Sequence, residues 1–123
     1  MAQQCTQPRA AVAARAPRPD EVADFMDACR AFLFPGFFHH IDAVPSGIVR
    51  KLTPLVEDAC TVIPHCALDA RHVASLFVQT LPSIAGLLMR DVEATFLGDP
   101  AAESTDEVII CYPGIQAITT HRV

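Results

Sequence analysis

The first helical pattern begins after Pro19, where apolar side chains recur every three to four residues along one face. The apolar positions are Val22, Phe25, Met26, Cys29, Phe32 and Leu33. Carboxylates, beginning with Asp20, occupy the opposite face and the N-terminal end, where negative charge interacts favourably with the helix dipole. The pattern predicts an amphipathic helix that ends at Pro35-Gly36.

A second apolar stripe runs from Ser46 to Ile63 and contains Pro54. Proline inside a helix removes one backbone hydrogen bond and crowds the preceding turn. Two arrangements fit the pattern. Either one helix kinks at Pro54, or a second helix starts there with Thr53 as its N-cap. Pro64 then ends the helical region.

Residues 67–80 show a weaker helical spacing, and Pro82 predicts the start of a new helix that runs to Gly98. Gly98 stands where a glycine commonly follows the last helical residue. Further on, Ser104-Thr-Asp-Glu107 fits a capping box, in which a serine hydroxyl and a glutamate carboxylate accept from backbone N–H groups. A last helical segment follows Pro113-Gly114.

No stretch alternates apolar and polar residues between turn dipeptides, so the pattern predicts no sheet. We therefore expect an all-α domain of five to six short helices over residues 20–123. Residues 1–19 contain three arginines, many alanines and no acidic residue. We expect these residues to form a disordered N-terminal arm.

Composition excludes some functional classes. The 123 residues carry a formal net charge of -5 with nine Lys and Arg, so no basic face is available for a nucleic-acid backbone. Hydrophobic residues make up 51% of the chain, which favours burial of apolar faces in an oligomer. Charged residues or prolines interrupt each apolar run before the roughly 18 residues of a membrane span. We interpret the five dispersed cysteines as free thiols, which fits a reducing compartment. We therefore expect a soluble, cytoplasmic protein.

Metal and catalytic motifs are not evident. The adjacent side chains of His39-His40 point in different directions and have no further ligand at suitable spacing. Cys60 and Cys66 straddle Pro64 without CxxC spacing, and too few ligands stand near them for a structural zinc. No G-x-S-x-G elbow or glycine-rich phosphate loop is present. We therefore predict no metal site and no catalytic residue in this chain.

Asp99 is the one candidate binding residue. It lies between Gly98 and Pro100, at a rigid corner between two predicted helices. A carboxylate held in this way suits the capture of a ligand ammonium or hydroxyl, because little ordering entropy is lost on binding. The alternative is an Asx turn or a helix N-cap that only holds the corner.

Three motifs lie in the C-terminal quarter: Gly-Asp-Pro-Ala-Ala at 98–102, Asp-Glu-Val-Ile-Ile at 106–110 and Tyr-Pro-Gly-Ile at 112–115. In order and spacing, residues 91–122 resemble the N-terminal domain of serine O-acetyltransferases. Phe32-Leu-Phe-Pro-Gly-Phe-Phe38 resembles the end of that family's first helix. The resemblance implies transfer of an acetyl group from acetyl-CoA to serine, in cysteine biosynthesis.

The resemblance also implies that most of the catalytic apparatus lies elsewhere. In the family a left-handed β-helix of hexapeptide repeats follows the helical domain, binds acetyl-CoA and supplies the catalytic groups. The present chain stops at Val123 before any such repeat, so we expect these 123 residues alone to be inactive. Asp99 matches the family's aspartate that binds the acceptor serine. His121 is not the catalytic histidine.

The family assembles as a hexamer, a dimer of trimers, and many members dock O-acetylserine sulfhydrylase through a C-terminal tail that is absent here. The resemblance therefore implies a homo-oligomer. A rival interpretation is a stand-alone helical oligomerisation or regulatory module without catalysis. Hexapeptide repeats encoded after Val123 would favour the enzyme, and a stop codon there would favour the module.

Overall fold

The computed structural model describes residues 16–123, which form five helices and no strand. The helices are α1 (Pro19–Leu33), α2 (Pro45–Val62), α3 (Ala70–Gly98), α4 (Thr105–Cys111) and α5 (Pro113–Arg122). The predicted all-α class is confirmed. Of the predicted arm at 1–19, residues 1–15 lie outside the described part of the chain, and Pro19 is the first residue of α1.

The second apolar stripe forms one continuous helix, because α2 passes through Pro54 without a restart. Pro54 lacks an N–H, so the carbonyl of Arg50 has no helical donor four residues later. Pro54 is exposed, which leaves that carbonyl within reach of water. The hydroxyl of Thr53 donates to the carbonyl of Val49 at 2.7 Å and so does not act as an N-cap.

The prediction that Pro82 starts a helix is wrong. The 29-residue α3 runs from Ala70 through Pro82 to Gly98, so the helices are not all short. Pro82 is exposed, whereas its neighbour Leu81 is completely buried. Gly98 is the last helical residue, and the one glycine with positive φ in residues 16–123 is Gly36, at the turn after α1.

α3 is the central helix and contacts each of the other four. The core lies along its buried face, where the phenyl ring of Phe77 lies 5.6 Å from that of Phe25 on α1, measured between centroids. The largest completely buried side chains are those of Ile48, Leu81, Leu88, Ile115, Val92, Val108 and Cys29. They come from all five helices, so α4 and α5 are parts of the same core.

The predicted capping box starts α4, with one difference in its second bond. The Ser104 hydroxyl accepts from the Glu107 N–H at 3.1 Å. The Glu107 carboxylate accepts from the Glu103 N–H at 3.0 Å, one residue before the cap. The first bond satisfies a backbone donor that the start of the helix leaves without a helical partner, and the second ties the residue before the cap to the first turn.

α5 is fixed against α3 at both of its ends. Near its start, Ile115 is buried in the core. At its end, Arg122 reaches back to Asp91 of α3, with Nε 2.6 Å from one carboxylate oxygen and a terminal nitrogen 3.0 Å from the other. This two-point pairing matches the planar fork of a guanidinium to a carboxylate.

The interpretation of all the cysteines as free thiols is wrong for Cys60 and Cys66, which form a disulfide between the last turn of α2 and the segment after it. Cys29 and Cys111 are free, the first buried and the second exposed. Cys5 lies outside the described residues. The disulfide removes the support that free thiols gave to a reducing compartment.

The expectation that every apolar run is too short to form a membrane-spanning helix is also wrong for α3. By length and composition this helix could cross a membrane, with a mean hydropathy of 1.4 over its apolar window. The core helix of a globular protein meets the same criterion, and α3 packs against four other helices. Only 17% of the window is buried, so α3 still presents apolar side chains outward.

Candidate functional site

The candidate site is the corner between α3 and α4, where Asp99 follows the last helical residue. The Asp99 N–H donates to the carbonyl of Thr95 at 3.1 Å, and its backbone is extended, with φ -115° and ψ 107°. Pro100 disfavours the helical conformation in the residue before it. The Gly-Asp-Pro sequence therefore ends α3 at this point and presents Asp99 at the corner.

Both carboxylate oxygens of Asp99 accept hydrogen bonds from the protein. Oδ1 accepts from the Ala101 N–H at 2.9 Å, and the Ala102 N–H donates to the Asp99 carbonyl at 3.1 Å. Oδ2 accepts from the hydroxyl of Tyr112 at 2.6 Å. The Asx turn considered from the sequence is thus present, but it uses one lone pair of one oxygen.

These hydrogen bonds also shift the pKa values of both side chains. The Tyr112 hydroxyl, and after it the Ala101 N–H, hold the pKa of the Asp99 carboxyl below its ordinary value of 3.8. In return, the carboxylate raises the pKa of Tyr112 to about 12. At neutral pH Asp99 is therefore ionised and Tyr112 is protonated.

The negative charge of Asp99 is not matched by a nearby positive side chain. None of the ion pairs within residues 16–123 includes this carboxylate. An ionised carboxylate can accept about four hydrogen bonds, and the protein supplies two. The remaining lone pairs suit a cationic or hydroxylic ligand group.

Tyr112 is the residue of this site that sequence reasoning missed. It lies between the last residue of α4 and the first residue of α5, and its partly buried ring packs against the core. The capping box and Pro113 mark the ends of α4 in the sequence. No local signal gives the angle between α3 and α4 that returns Tyr112 to Asp99.

The other sequence candidates take structural positions. The ring of His40 donates from Nε2 to Asp24 at 2.8 Å and accepts the Asp42 N–H at Nδ1, 3.0 Å away. No group of three or more His, Cys, Asp or Glu side chains in the described part of the chain could hold a metal ion. His121 lies exposed in the last turn of α5.

His40 belongs to a charged network that ties the segment between α1 and α2 to both helices. Asp24 also accepts from Lys51, and Lys51 lies 3.2 Å from Asp42. Arg50 pairs with Asp42 as well. His40 and then Lys51 lower the pKa of Asp24, and Lys51 and then Arg50 lower that of Asp42. Because its members are paired with each other, this network is a structural feature.

No protein-family model matches the chain. Over 54 residues, or 44% of its length, the chain is 54% identical to a curated protein of Synechococcus elongatus named "Serine acetyltransferase, plasmid". The match covers 17% of that relative, so this chain spans a small part of the protein it resembles. The resemblance to serine acetyltransferases, first indicated by the motifs at 98–115, is confirmed.

Proposed function

We propose that this chain is the N-terminal helical region of a serine O-acetyltransferase and that Asp99 binds the acceptor serine. The parent reaction transfers the acetyl group of acetyl-CoA to the serine hydroxyl. Acetyl-CoA and the general base that deprotonates the hydroxyl are assigned to a β-helix domain outside these residues. The observation that carries the proposal is the 54% identity to a serine acetyltransferase.

The geometry of the corner supports the role of Asp99. Serine presents an ammonium and a hydroxyl, and both can donate to a carboxylate. Asp99 is ionised, has no cationic partner in the described chain, and keeps lone pairs beyond those used by Ala101 and Tyr112. A charge-assisted bond to ammonium is among the stronger hydrogen bonds. Because two bonds already fix the carboxylate, less ordering entropy is lost when serine binds.

We also propose self-association, in the hexamer of two trimers that the resemblance implies. The described surface exposes large apolar side chains, among them Ile41 at 90%, Leu97 at 83% and Leu68 at 61%. Leu97 lies in the last turn of α3, two residues before Asp99. Leu68 precedes the start of α3 and Leu97 lies near its end, so these side chains lie at separate places on the surface. Self-association is supported by the resemblance together with the apolar window of α3, of which only 17% is buried.

The same exposed side chains favour a second candidate function, a helical oligomerisation module without catalysis. Such a module needs the apolar surface and has no use for an ionised, unpaired carboxylate at the α3–α4 corner. The two candidates therefore differ in what they require of Asp99.

The test is the complete natural protein that contains this chain, assayed for O-acetylserine formation from serine and acetyl-CoA. Asp99→Asn should raise the serine KM about tenfold or more, because it removes a charged hydrogen-bond acceptor. The KM for acetyl-CoA should stay within about twofold, since that substrate binds elsewhere. Glu93→Gln is the matched control, because Glu93 is an exposed carboxylate of α3.

Each result bears on one part of the proposal. A folded complete protein that forms no O-acetylserine would favour the module. Activity with an unchanged serine KM in Asp99→Asn would leave only the Asx turn for this residue. The 123-residue chain alone should form no product, and measurable turnover by it would contradict the assignment of catalysis to another domain.

A further inference from the structure

Tyr112 joins two parts of the molecule that are far apart in sequence. Its ring packs against the hydrophobic core, and its hydroxyl lies 2.6 Å from Oδ2 of Asp99, 13 residues earlier. Its backbone is held as well, because its N–H donates to the Val108 carbonyl at 3.3 Å and its carbonyl accepts from Ile115 at 3.1 Å. The hydroxyl therefore projects from a fixed position.

The two hydrogen bonds on Asp99 restrain different motions. The Ala101 N–H holds Oδ1 within the local turn. Rotation about the Cβ–Cγ bond of aspartate is soft, since the terminal torsion has broad minima. The bond from Tyr112 to Oδ2 comes from another helix junction and opposes this rotation. The two bonds together fix the plane of the carboxylate, and with it the directions of the free lone pairs on its two oxygens.

We infer that Tyr112 is a positioning residue for the proposed serine site, whose hydroxyl holds the Asp99 carboxylate in the orientation that receives the serine ammonium. The inference rests on the proposed function. Tyr112 need not touch serine, and it acts through Asp99. The neighbouring carboxylate raises the pKa of Tyr112 to about 12, so the hydroxyl keeps its proton and remains a donor well above neutral pH.

Tyr112→Phe tests the inference, because it keeps the ring in the core and removes only the hydroxyl. In the complete natural protein, the serine KM should rise about fivefold to tenfold, as expected for one bond to a charged group. The kcat and the KM for acetyl-CoA should stay within about twofold. Thr120→Val is the control, since it removes an exposed hydroxyl from α5 that donates to the Gln116 carbonyl.

Two further measurements separate positioning from a merely structural role. In the 123-residue chain, NMR titration of the Asp99 carboxyl should show a higher pKa in Tyr112→Phe, since a donor that lowers it is lost. In kinetics, adding Tyr112→Phe to Asp99→Asn should raise the serine KM by less than about twofold, because residues that act as a unit are not additive.

The outcomes distinguish this inference from the proposed function. If Asp99→Asn raises the serine KM and Tyr112→Phe does not, the positioning role is wrong and the serine site stands. An equal effect of Tyr112→Phe with Asp or Asn at position 99 would mean that Tyr112 acts independently, which also overturns the inference. An unchanged Asp99 pKa in Tyr112→Phe would show that the hydroxyl does not bind the carboxylate in solution. If Asp99→Asn itself has no effect on the serine KM, the serine site fails and the inference fails with it.

Discussion

Two glycines in helices of this chain should respond in opposite directions to the same substitution. Gly86 lies exposed in α3, and a Cβ built there meets nothing within 4 Å. Gly47 lies buried in the first turn of α2, where a Cβ would come within 2.5 Å of the Asp42 carbonyl oxygen and 2.9 Å of its Cα. The helical backbone favours alanine at both sites, so the difference between them comes from the contact with Asp42.

The magnitudes follow from these two terms. Gly86→Ala should stabilise the fold by about 0.5 to 1 kcal/mol, from helix propensity and a less flexible unfolded chain. Gly47→Ala has the same gain, but overpacking against backbone costs about 1 to 3 kcal/mol. The segment carrying Asp42 cannot easily retreat, because Asp42 is held by His40, Arg50 and Lys51. Because the close contact is with backbone atoms, we expect a cost at the upper end of this range, about 2 to 3 kcal/mol, and therefore a net loss of about 1 to 2.5 kcal/mol for Gly47→Ala.

Urea unfolding of the 123-residue chain, followed by circular dichroism at about 222 nm, measures both variants. The free energies of unfolding should differ by about 2 to 3 kcal/mol between them, which corresponds to midpoints about 1 M apart. A Gly47→Ala chain as stable as the parent would refute the reasoning, because the 40–44 segment would then yield without cost. A destabilised Gly86→Ala chain would show that Gly86 is not in an open helical surface.

Two other predictions concern a helix cap and the acid limit of stability. Ser104→Ala should lower the free energy of unfolding by about 1 kcal/mol, because it removes the cap on the Glu107 N–H. The control Ser83→Ala, within α3, should change the free energy of unfolding by less than about 0.5 kcal/mol. Equal effects of the two substitutions would contradict the capping role of Ser104. The pKa values of Asp24, Asp42 and Asp99 are lowered from 3.8 in the folded chain. Their contribution to the free energy of unfolding is therefore fully present above the pKa of the unfolded chain, and it is lost as the pH falls through the pKa of the folded chain. Urea midpoints should therefore decrease from about pH 5 to about pH 2, with a weaker dependence in Asp42→Asn, and a flat profile in the parent chain would argue against these interactions.

The helical class and the first helix could be predicted because local signals and burial agree. The apolar stripe of α1 faces the core, and the chain turns after it at Pro35-Gly36. At Pro82 the local signal and the burial disagree. A proline inside a helix costs about 3 kcal/mol, whereas burying one leucine side chain contributes about 1.5 to 3 kcal/mol. Leu81 and Leu88 are both completely buried on α3, so a continuous helix is favoured over a break at proline.

The disulfide could not be predicted for a different reason. Five cysteines allow many pairings, and the spacing between Cys60 and Cys66 matches no familiar redox or metal motif. Whether they meet depends on how sharply the chain turns after α2, where His65 adopts a φ of 59°. Few non-glycine residues adopt such a backbone angle, and nothing in the local sequence marks His65 as one that does.

In the candidate site, too, one feature could be predicted from local sequence and another depends on tertiary packing. The Gly-Asp-Pro sequence predicts a constrained carboxylate, because proline restricts the residue before it. The partner of that carboxylate could not be predicted, since Tyr112 reaches Asp99 only through the packing of α4 on α3. Val108 and Ile109 on α4 are buried, and their burial sets the position from which the tyrosine hydroxyl returns. The hydrogen bond between Tyr112 and Asp99, 13 residues apart, thus depends on how the buried side chains of α4 pack in the core.

The structure also changes the relation between the two interpretations of Asp99. From the sequence, an Asx turn and a ligand contact are rivals for one side chain. In the folded chain the turn uses Oδ1 and the tyrosine uses Oδ2, which leaves lone pairs on both oxygens. The turn orients the group that a ligand would meet, so the two roles are compatible. Asparagine retains the turn acceptor but removes the charge and the second oxygen, which accepts from Tyr112; alanine removes the turn acceptor as well. A rise in the serine KM in Asp99→Asn therefore reports the charge together with the Tyr112 hydrogen bond, and a further rise in Asp99→Ala would report the orientation that the turn provides.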